Sequence, residues 1–191
     1  MLLIVAGCNP TTSVAPTPEP TTATAEATVA INSHSNTSSA ITTYVDKRSG
    51  IAFDYPNGWT IVAPTDVDAV IYTYTIASYN IVNPSQTTDK SESSTPNGET
   101  KIDVSFYGAD ETPESARRTV QADVDSGMAV VIKEETRTAV DGSKAYYYAI
   151  QGRLGGAAQV LYTRVNGHTV GVVAYGEGTN FDAVVKSLRA G

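Results

Sequence analysis

The sequence predicts an α+β domain in which helices pack on an antiparallel sheet. Short segments rich in β-branched and aromatic residues recur along the chain, and eleven Tyr occur against three Phe, which is typical of strands. Asp141-Gly142 and Asn166-Gly167 are dipeptides that favour tight antiparallel hairpins. Helical periodicity occurs in two segments, near 112–127 and 179–189. We therefore expect about six to nine strands with two helices on them.

Length and composition indicate one folded domain on a tail. Of the 191 residues, about 150 look globular (44–191), which is enough to fold without disulfides. The single cysteine, Cys8, excludes an intramolecular disulfide and a cysteine-based metal cage. A net charge of −7 argues against nucleic acid as a partner, because an acidic domain repels phosphate groups.

The first eight residues have the pattern of a signal-peptide remnant. The apolar run Met1-Leu2-Leu3-Ile4 leads into Val5-Ala6-Gly7-Cys8, which resembles the bacterial lipobox. The resemblance implies that the Cys8 thiol carries lipid and that the chain is cut just before it. No Lys or Arg precedes Cys8 and the apolar run is short, so we expect the natural start to lie upstream or the sequence to be truncated. The alternative is an apolar N-terminus with a chance cysteine.

Residues 9–43 read as a tether. They are mostly Thr, Ser, Ala, Pro and Asn, with no apolar period, and such a segment cannot bury enough surface to order itself. A chain of this length and mixed stiffness reaches about 30–35 Å. The leader is too short to span a bilayer. We therefore expect a lipid-anchored protein on the extracytoplasmic face of the cell membrane, with its domain held clear of the surface.

The domain opens with two predicted strands and a turn. Residues 41–45 form the first strand, 47–50 a turn, and the alternating segment 51–55 the next strand. Pro56-Asn57-Gly58 has turn chemistry, so the chain is expected to return along Trp59 to Val62 and close a first hairpin. Trp59, the only Trp of the chain, is expected to lie in the core.

Two further strands flank a long polar loop. Residues 70–82 are rich in β-branched and aromatic residues, and 101–107 alternate cleanly, whereas 83–100 are polar and form either a mobile or a functional loop. One face of the first strand carries Val70, Tyr72, Tyr74 and Ile76, and the other face carries Ile71, Thr73, Thr75 and Ala77. On the second strand, Ile102, Val104 and Phe106 are predicted to point inward.

The rest of the domain is read as helix, four-stranded meander and helix. Thr112-Pro113-Glu114 is a helix start, and Gly127 ends that helix after Ala116, Val120 and Val124. Strands follow at 128–140, 144–151, 157–165 and 168–175. The last helix has an apolar stripe and a basic C-terminal end. The stripe residues are Phe181, Val184, Val185 and Leu188, and the basic residues are Lys186 and Arg189.

Two short motifs at the ends of the domain carry a family resemblance. The first is Gly50-Ile51-Ala52-Phe53-Asp54-Tyr55-Pro56 with Trp59 nearby, and the second is Phe181-Asp182-Ala183-Val184-Val185-Lys186-Ser187-Leu188. With the antiparallel meander between them, they resemble PsbP-like domains, a family that includes bacterial lipoproteins, over residues 44–189. The resemblance implies an α-β-α sandwich. It does not imply photosynthesis, because no functional motif of the family carries over.

The motifs point to no catalytic, cofactor or metal site. The only histidine of the folded domain, His168, follows a hairpin turn, and no Gly-x-Ser-x-Gly elbow occurs. The Gly176-Glu177-Gly178 segment leaves a meander strand and is read as a connecting loop. The acidic pairs are interpreted as solvated turns, with adventitious divalent-cation binding as the alternative. These pairs are Asp66 and Asp68, Asp110 and Glu111, and Asp123 and Asp125.

The tyrosines have two interpretations. They either fill the sandwich core or line a ligand groove together with the loop 83–100. The residues concerned are Tyr72, Tyr74, Tyr79, Tyr107, Tyr146, Tyr147, Tyr148, Tyr162 and Tyr175. Alternation along a strand sends half of them away from the core, unless helices cover both faces of the sheet.

The function expected from these observations is a non-catalytic binding or assembly module that the lipid on Cys8 holds at the membrane. Its expected partner is an envelope protein. A small-ligand carrier is the first alternative and would show an enclosed apolar pocket of a few hundred Å³. A carboxylate-dependent envelope hydrolase is the second, and would bring two carboxylates within about 5–10 Å of each other in a pocket.

Overall fold

A computed structural model describes residues 40–66, 69–81, 95–153, 156–176 and 180–191. The predictions for Cys8, for the tether up to residue 39, for Asp68, for most of the loop 83–100 and for Glu177-Gly178 lie outside these residues. Within the described part of the chain, no helix is long and apolar enough to cross a membrane.

The described residues form ten strands and three helical segments in two antiparallel sheets, so the α+β class is confirmed. The strands are β1 (Ile41–Asp46), β2 (Ile51–Pro56), β3 (Thr60–Val62), β4 (Tyr72–Ala77), β5 (Thr100–Phe106), β6 (Ala129–Thr138), β7 (Lys144–Gly152), β8 (Ala157–Val165), β9 (His168–Gly176) and β10 (Arg189–Ala190). The helices are α1 (Pro113–Ala116), α2 (Arg118–Asp125) and α3 (Asn180–Ser187).

The larger sheet has seven strands in the order β3-β4-β5-β9-β8-β7-β6. Its meander contains both hairpins predicted from turn dipeptides, β6–β7 and β8–β9. At the second turn Asn166 and Gly167 have φ values of 49° and 79°. Two successive positive φ angles are what a two-residue turn between twisted strands requires, so the local chemistry of these residues sets the register.

The smaller sheet, β1-β2-β10, corrects the prediction of a first hairpin after Pro56-Asn57-Gly58. Both edges of β2 are already taken, one by β1 and the other by β10. The chain after Gly58 therefore crosses to the larger sheet, where β3 pairs with β4. The strand β10 was not predicted from the sequence, and it has only two residues.

The predicted long strand at 70–82 is shorter in the structure. Of the predicted face Val70, Tyr72, Tyr74 and Ile76, the three residues that belong to β4 point inward and are at most 7% exposed. Val70 precedes the strand and is 72% exposed. The inward face predicted for β5 is confirmed, since Ile102, Val104 and Phe106 are fully buried.

The first hydrophobic core lies between one face of the larger sheet, the smaller sheet and α3. Phe181 and Val184 of α3, with Leu188 just after it, insert into this core as the apolar stripe predicts. Tyr44, Trp59, Ile61 and Val185 pack against it while remaining half-buried. The prediction of Trp59 in the core is thus met at the core's margin rather than at its centre.

A second core lies on the opposite face of the larger sheet, beneath α1 and α2. Ala116 and Val120 pack there against Tyr146, Tyr148 and Tyr162. The predicted cap is present, because the Ser115 N–H donates to Thr112 Oγ1 at 3.1 Å. The predicted single helix is divided at Arg117 into α1 and α2. Helical segments therefore cover both faces of the sheet.

Candidate functional site

A cleft of about 170 Å³ lies where the tip of the β6–β7 hairpin meets the C-terminal end of α3. We call it the α3 cleft. Three sets of residues line it, from the hairpin, from β8 and from the end of α3. They are Arg137, Thr138, Ala139, Val140 and Ala145, then Leu161, Thr163 and Val165, then Val185, Lys186 and Leu188.

Turn hydrogen bonds hold the hairpin side of the cleft. The Ala139 N–H donates to the Ser143 carbonyl at 2.8 Å, and the Gly142 N–H donates to the Ala139 carbonyl at 3.0 Å. The Asp141 carboxylate accepts from the Ser143 N–H at 2.9 Å and from its hydroxyl at 2.6 Å. These hydrogen bonds from Ser143 hold the pKa of Asp141 below its ordinary value. The closed turn leaves the Val140 side chain 77% exposed at the mouth of the cleft.

Contacts with the smaller sheet hold the α3 side. The Ser187 hydroxyl accepts from the Asp54 N–H at 2.8 Å and donates to the Val184 carbonyl at 2.7 Å. The Arg189 guanidinium donates to the Asp54 carboxylate at 2.9 Å, and this hydrogen bond lowers the pKa of Asp54. The last turn of α3, which carries Val185 and Lys186, is therefore fixed against β2.

The floor of the cleft is apolar except for one hydroxyl. Thr163 lies on β8 between Leu161 and Val165, and all three residues are at most 5% exposed. Thr163 is the one polar residue among the three that β8 contributes to the lining of the cleft.

Two basic side chains flank the mouth. The Arg137 guanidinium lies 3.0 Å from Glu135 Oε2 and 3.9 Å from Asp182 Oδ1, and its carbon stacks 3.8 Å from the Tyr147 ring centroid. The two carboxylates partly neutralise the charge of Arg137, and the ring contact helps to hold its side chain in place. Lys186 is exposed and makes no ion pair within the described ranges, so its charge is available to a ligand.

The lining residues suit binding better than catalysis. Those that the structure describes include no histidine, cysteine or carboxylate, so the cleft lacks a thiol nucleophile, and Lys186 is its only amine. Its volume is close to the roughly 150 Å³ of an engineered apolar cavity that binds benzene, and below the roughly 300 Å³ at which drug-sized pockets begin. It accommodates one apolar side chain rather than a whole small molecule.

The residues weighed in the sequence as catalytic candidates lie elsewhere. His168 begins β9 directly after the turn at 166–167 and is half-buried opposite Val165. Of the acidic pairs, the members that the structure describes do not line the α3 cleft. Three or more His, Cys, Asp or Glu side chains do not converge anywhere in the described part of the chain.

Six of the nine tyrosines fill the cores, as the packing interpretation expected, whereas Tyr79, Tyr107 and Tyr175 are half-buried. The alternative groove includes the loop 83–100, most of which lies outside the described residues. Tyr72, Tyr74 and Tyr147 belong to the first core, and Tyr146, Tyr148 and Tyr162 to the second. Each of the six is at most 8% exposed. Burial, together with the neighbouring Asp46 carboxylate, raises the pKa of Tyr72 to about 12.

The α3 cleft was not predicted from the sequence, because the residues that form its walls lie far from one another along the chain. Lys186 was identified only as a helix-end residue, and Val140 only as the end of a strand. The one local signal is an aliphatic residue, Val140, beside Asp141-Gly142 within the turn, where Gly, Pro, Asn, Asp and Ser dominate.

Comparison with known proteins gives likenesses among solved structures. No family model matches the chain, and no curated protein matches it. A similar solved structure is the solution structure of cyanobacterial PsbP (CyanoP) from Synechocystis sp. PCC 6803. The TM-score is 0.47 and the sequence identity 16%, and the match covers 80% of this chain and 94% of that one. The α+β class rests on the strand pairing and helices described above, and the likeness says nothing about what the chain binds.

Proposed function

We propose that this protein is a membrane-anchored, non-catalytic binding or assembly module of the bacterial envelope. The lipobox-like Val5-Ala6-Gly7-Cys8 supports a lipid anchor on Cys8. The Thr-, Ser- and Pro-rich segment 9–43 supports a tether that holds the domain off the extracytoplasmic face. Two acyl chains give stable anchoring where one does not.

The observation that carries the binding role is the α3 cleft. It is a preformed apolar concavity with an exposed aliphatic residue and an available lysine at its mouth, and its described lining contains no histidine, cysteine or carboxylate. Such a surface supports recognition of another protein. The volume of about 170 Å³ is less than a carrier needs to enclose a small ligand. The hydrolase alternative lacks a carboxylate pair in the cleft.

Anchoring is tested by metabolic labelling with a fatty acid. The full chain should incorporate label, and Cys8→Ser should not, because the thiol is the acceptor. Ser13→Ala, a change in the tether, serves as the matched control and should label normally. Equal labelling of the wild type and of Cys8→Ser would exclude the lipid anchor.

Partner binding is tested by site-specific photo-crosslinking on the lipidated chain in its membrane. A crosslinker at Val140, beside the cleft, should give a discrete adduct with an envelope protein. The same crosslinker at Ala122, which is exposed on α2 on the opposite face of the sheet, should not. Identical adduct patterns at the two positions would argue against a binding role for the cleft.

A further inference from the structure

We propose that the α3 cleft binds a segment of a partner protein in which one apolar side chain adjoins a carboxylate. This inference rests on the proposed binding function and specifies the chemistry of the ligand. Three observations determine it: the size and apolar lining of the cleft, the charge at its mouth and the exposed Val140 beside the opening.

Size and lining select the apolar group. A volume of about 170 Å³, walled by Ala139, Ala145, Leu161 and Val165, holds a side chain the size of Leu or Phe. A lysine or arginine side chain in this position would place its charge against aliphatic walls, which is costly. The first requirement is therefore one medium-sized apolar side chain.

The charge at the mouth selects the neighbouring group. The chain as a whole carries a net charge of −7, yet Lys186 at the cleft has no acidic partner among the described residues. Arg137 also lines the cleft, and its guanidinium forms ion pairs with the carboxylates of Glu135 and Asp182. A carboxylate next to the apolar side chain would pair with Lys186, whereas a basic neighbour would be repelled.

The form of the mouth favours a peptide over a free small acid. Val140 is 77% exposed beside the opening, and the backbone of a bound segment would cover it, while a small acid would not. An extended acidic–apolar segment therefore satisfies all three features.

The test uses the full chain carrying Cys8→Ser, so that binding is measured independently of anchoring. The probes are the tripeptide acetyl-Glu-Leu-Glu-amide, the basic analogue with Lys in place of Glu, the analogue with Ser in place of Leu, and hexanoate. Binding is followed by NMR shifts of the amides of Ala139, Ala145 and Leu188. We expect the acidic Leu peptide to shift these amides, and the basic and Ser analogues to bind at least about five-fold more weakly.

Two variants locate the site. Lys186→Glu should weaken binding of the acidic peptide by about five- to ten-fold, while Lys47→Glu, an equal charge change on the exposed β1–β2 turn, should have no effect. Ala139→Leu should block the cleft and abolish binding. If Ala139→Leu fails to fold, Lys186→Glu still tests the site, because Lys186 is exposed and its replacement should not disturb the fold.

Three results would overturn the proposal. The first is the absence of shifts with the acidic peptide at millimolar concentration. The second is equal binding of the acidic and basic peptides. The third is binding of hexanoate as tight as that of the peptide, which would make the ligand a small acid. The peptide test can fail while Cys8 is labelled normally and the crosslinker at Val140 gives an adduct. That combination would reject only this class of ligand and would leave the proposed function standing.

Discussion

Asp46 is a buried carboxylate that joins the two sheets. It is 3% exposed at the end of β1. It accepts hydrogen bonds from the Ser49 N–H at 2.8 Å, the Ser49 hydroxyl at 2.6 Å, the Tyr72 hydroxyl at 2.7 Å and the Tyr74 hydroxyl at 2.9 Å. Burial alone would raise the pKa of Asp46, but these hydrogen bonds outweigh it and hold the pKa below 3.8. The charged form is therefore the stable one in the fold.

The lowered pKa predicts an acid-sensitive contribution to stability. The contribution is complete above the unfolded-state pKa of about 3.9, and it is lost as the pH falls through the lower pKa of the folded state. Thermal melts between about pH 2 and 6 should show this loss. Asp46→Asn should lower the free energy of unfolding at pH 6 by about 2–4 kcal/mol, because the amide N–H groups of the new side chain would face hydroxyl donors.

Tyr72→Phe is the companion variant, because it removes one hydrogen bond and keeps the ring in the core. It should cost about 1.5–3 kcal/mol at pH 6, the range for a hydrogen bond to a charged group. If Asp46→Asn had the same acid dependence as the wild type, Asp46 would not be a source of that dependence.

Trp59 contributes less than a fully buried tryptophan would. Truncation of a central aromatic residue to Ala costs about 3–5 kcal/mol, and Trp59 is half-buried at the margin of the first core. We therefore expect Trp59→Ala to lower the free energy of unfolding by about 1.5–3 kcal/mol. Denaturant melts measure it, and a change below about 0.5 kcal/mol would place the indole outside the core.

At the scale of the element, β6 carries an apolar patch on an edge strand. Within the described residues it pairs only with β7, and Met128, Val130 and Ile132 are 47%, 61% and 69% exposed. The register shifts between Val131 and Lys133. A bulge of this kind disturbs the ladder and discourages pairing with a second chain.

Ile132→Lys should therefore have little effect on folding. The side chain is exposed and lies at the irregularity, so the free energy of unfolding should change by less than about 0.5 kcal/mol in a urea melt. Val131→Lys is the contrasting variant, because Val131 is half-buried against the second core and its replacement should cost more. Equal effects of the two substitutions would contradict the burial described for β6.

The same strands show which elements could be predicted from sequence. The β6–β7 and β8–β9 hairpins were predicted correctly because Asp141-Gly142 and Asn166-Gly167 act within a few residues. Pro56-Asn57-Gly58 has equally good turn chemistry, but β1 and β10 already occupy both edges of β2. Local signals define a turn, and the pairing beyond it depends on distant strands.

At the scale of the whole molecule, α3 binds the two sheets together. Phe181 is 1% exposed and packs on Tyr147 of the larger sheet, with ring centroids 5.9 Å apart. At the end of the same helix, the Ser187 hydroxyl accepts a hydrogen bond from the Asp54 N–H of the smaller sheet at 2.8 Å. The helix therefore contacts both sheets and also forms one wall of the α3 cleft.

Phe181→Ala should cost about 3–5 kcal/mol in the free energy of unfolding, because it leaves a cavity at this junction. Denaturant melts followed by tyrosine fluorescence measure the loss. Asp182→Asn, on the exposed side of α3, is the control and should stay within about 0.5 kcal/mol of the wild type. A cost below about 1 kcal/mol for Phe181→Ala would show that α3 does not bind the sheets together.

The sequence by itself determined the fold class, the inward face of β5 and the stripe of α3, because alternation, helical period and turn dipeptides are local properties. It also identified Cys8 as the residue to test for lipid. Only the tertiary structure decided that β10 closes the smaller sheet and that Val140, Thr163 and Lys186 meet around one cleft. These residues come from three separate elements, and only long-range packing brings them within reach of one ligand.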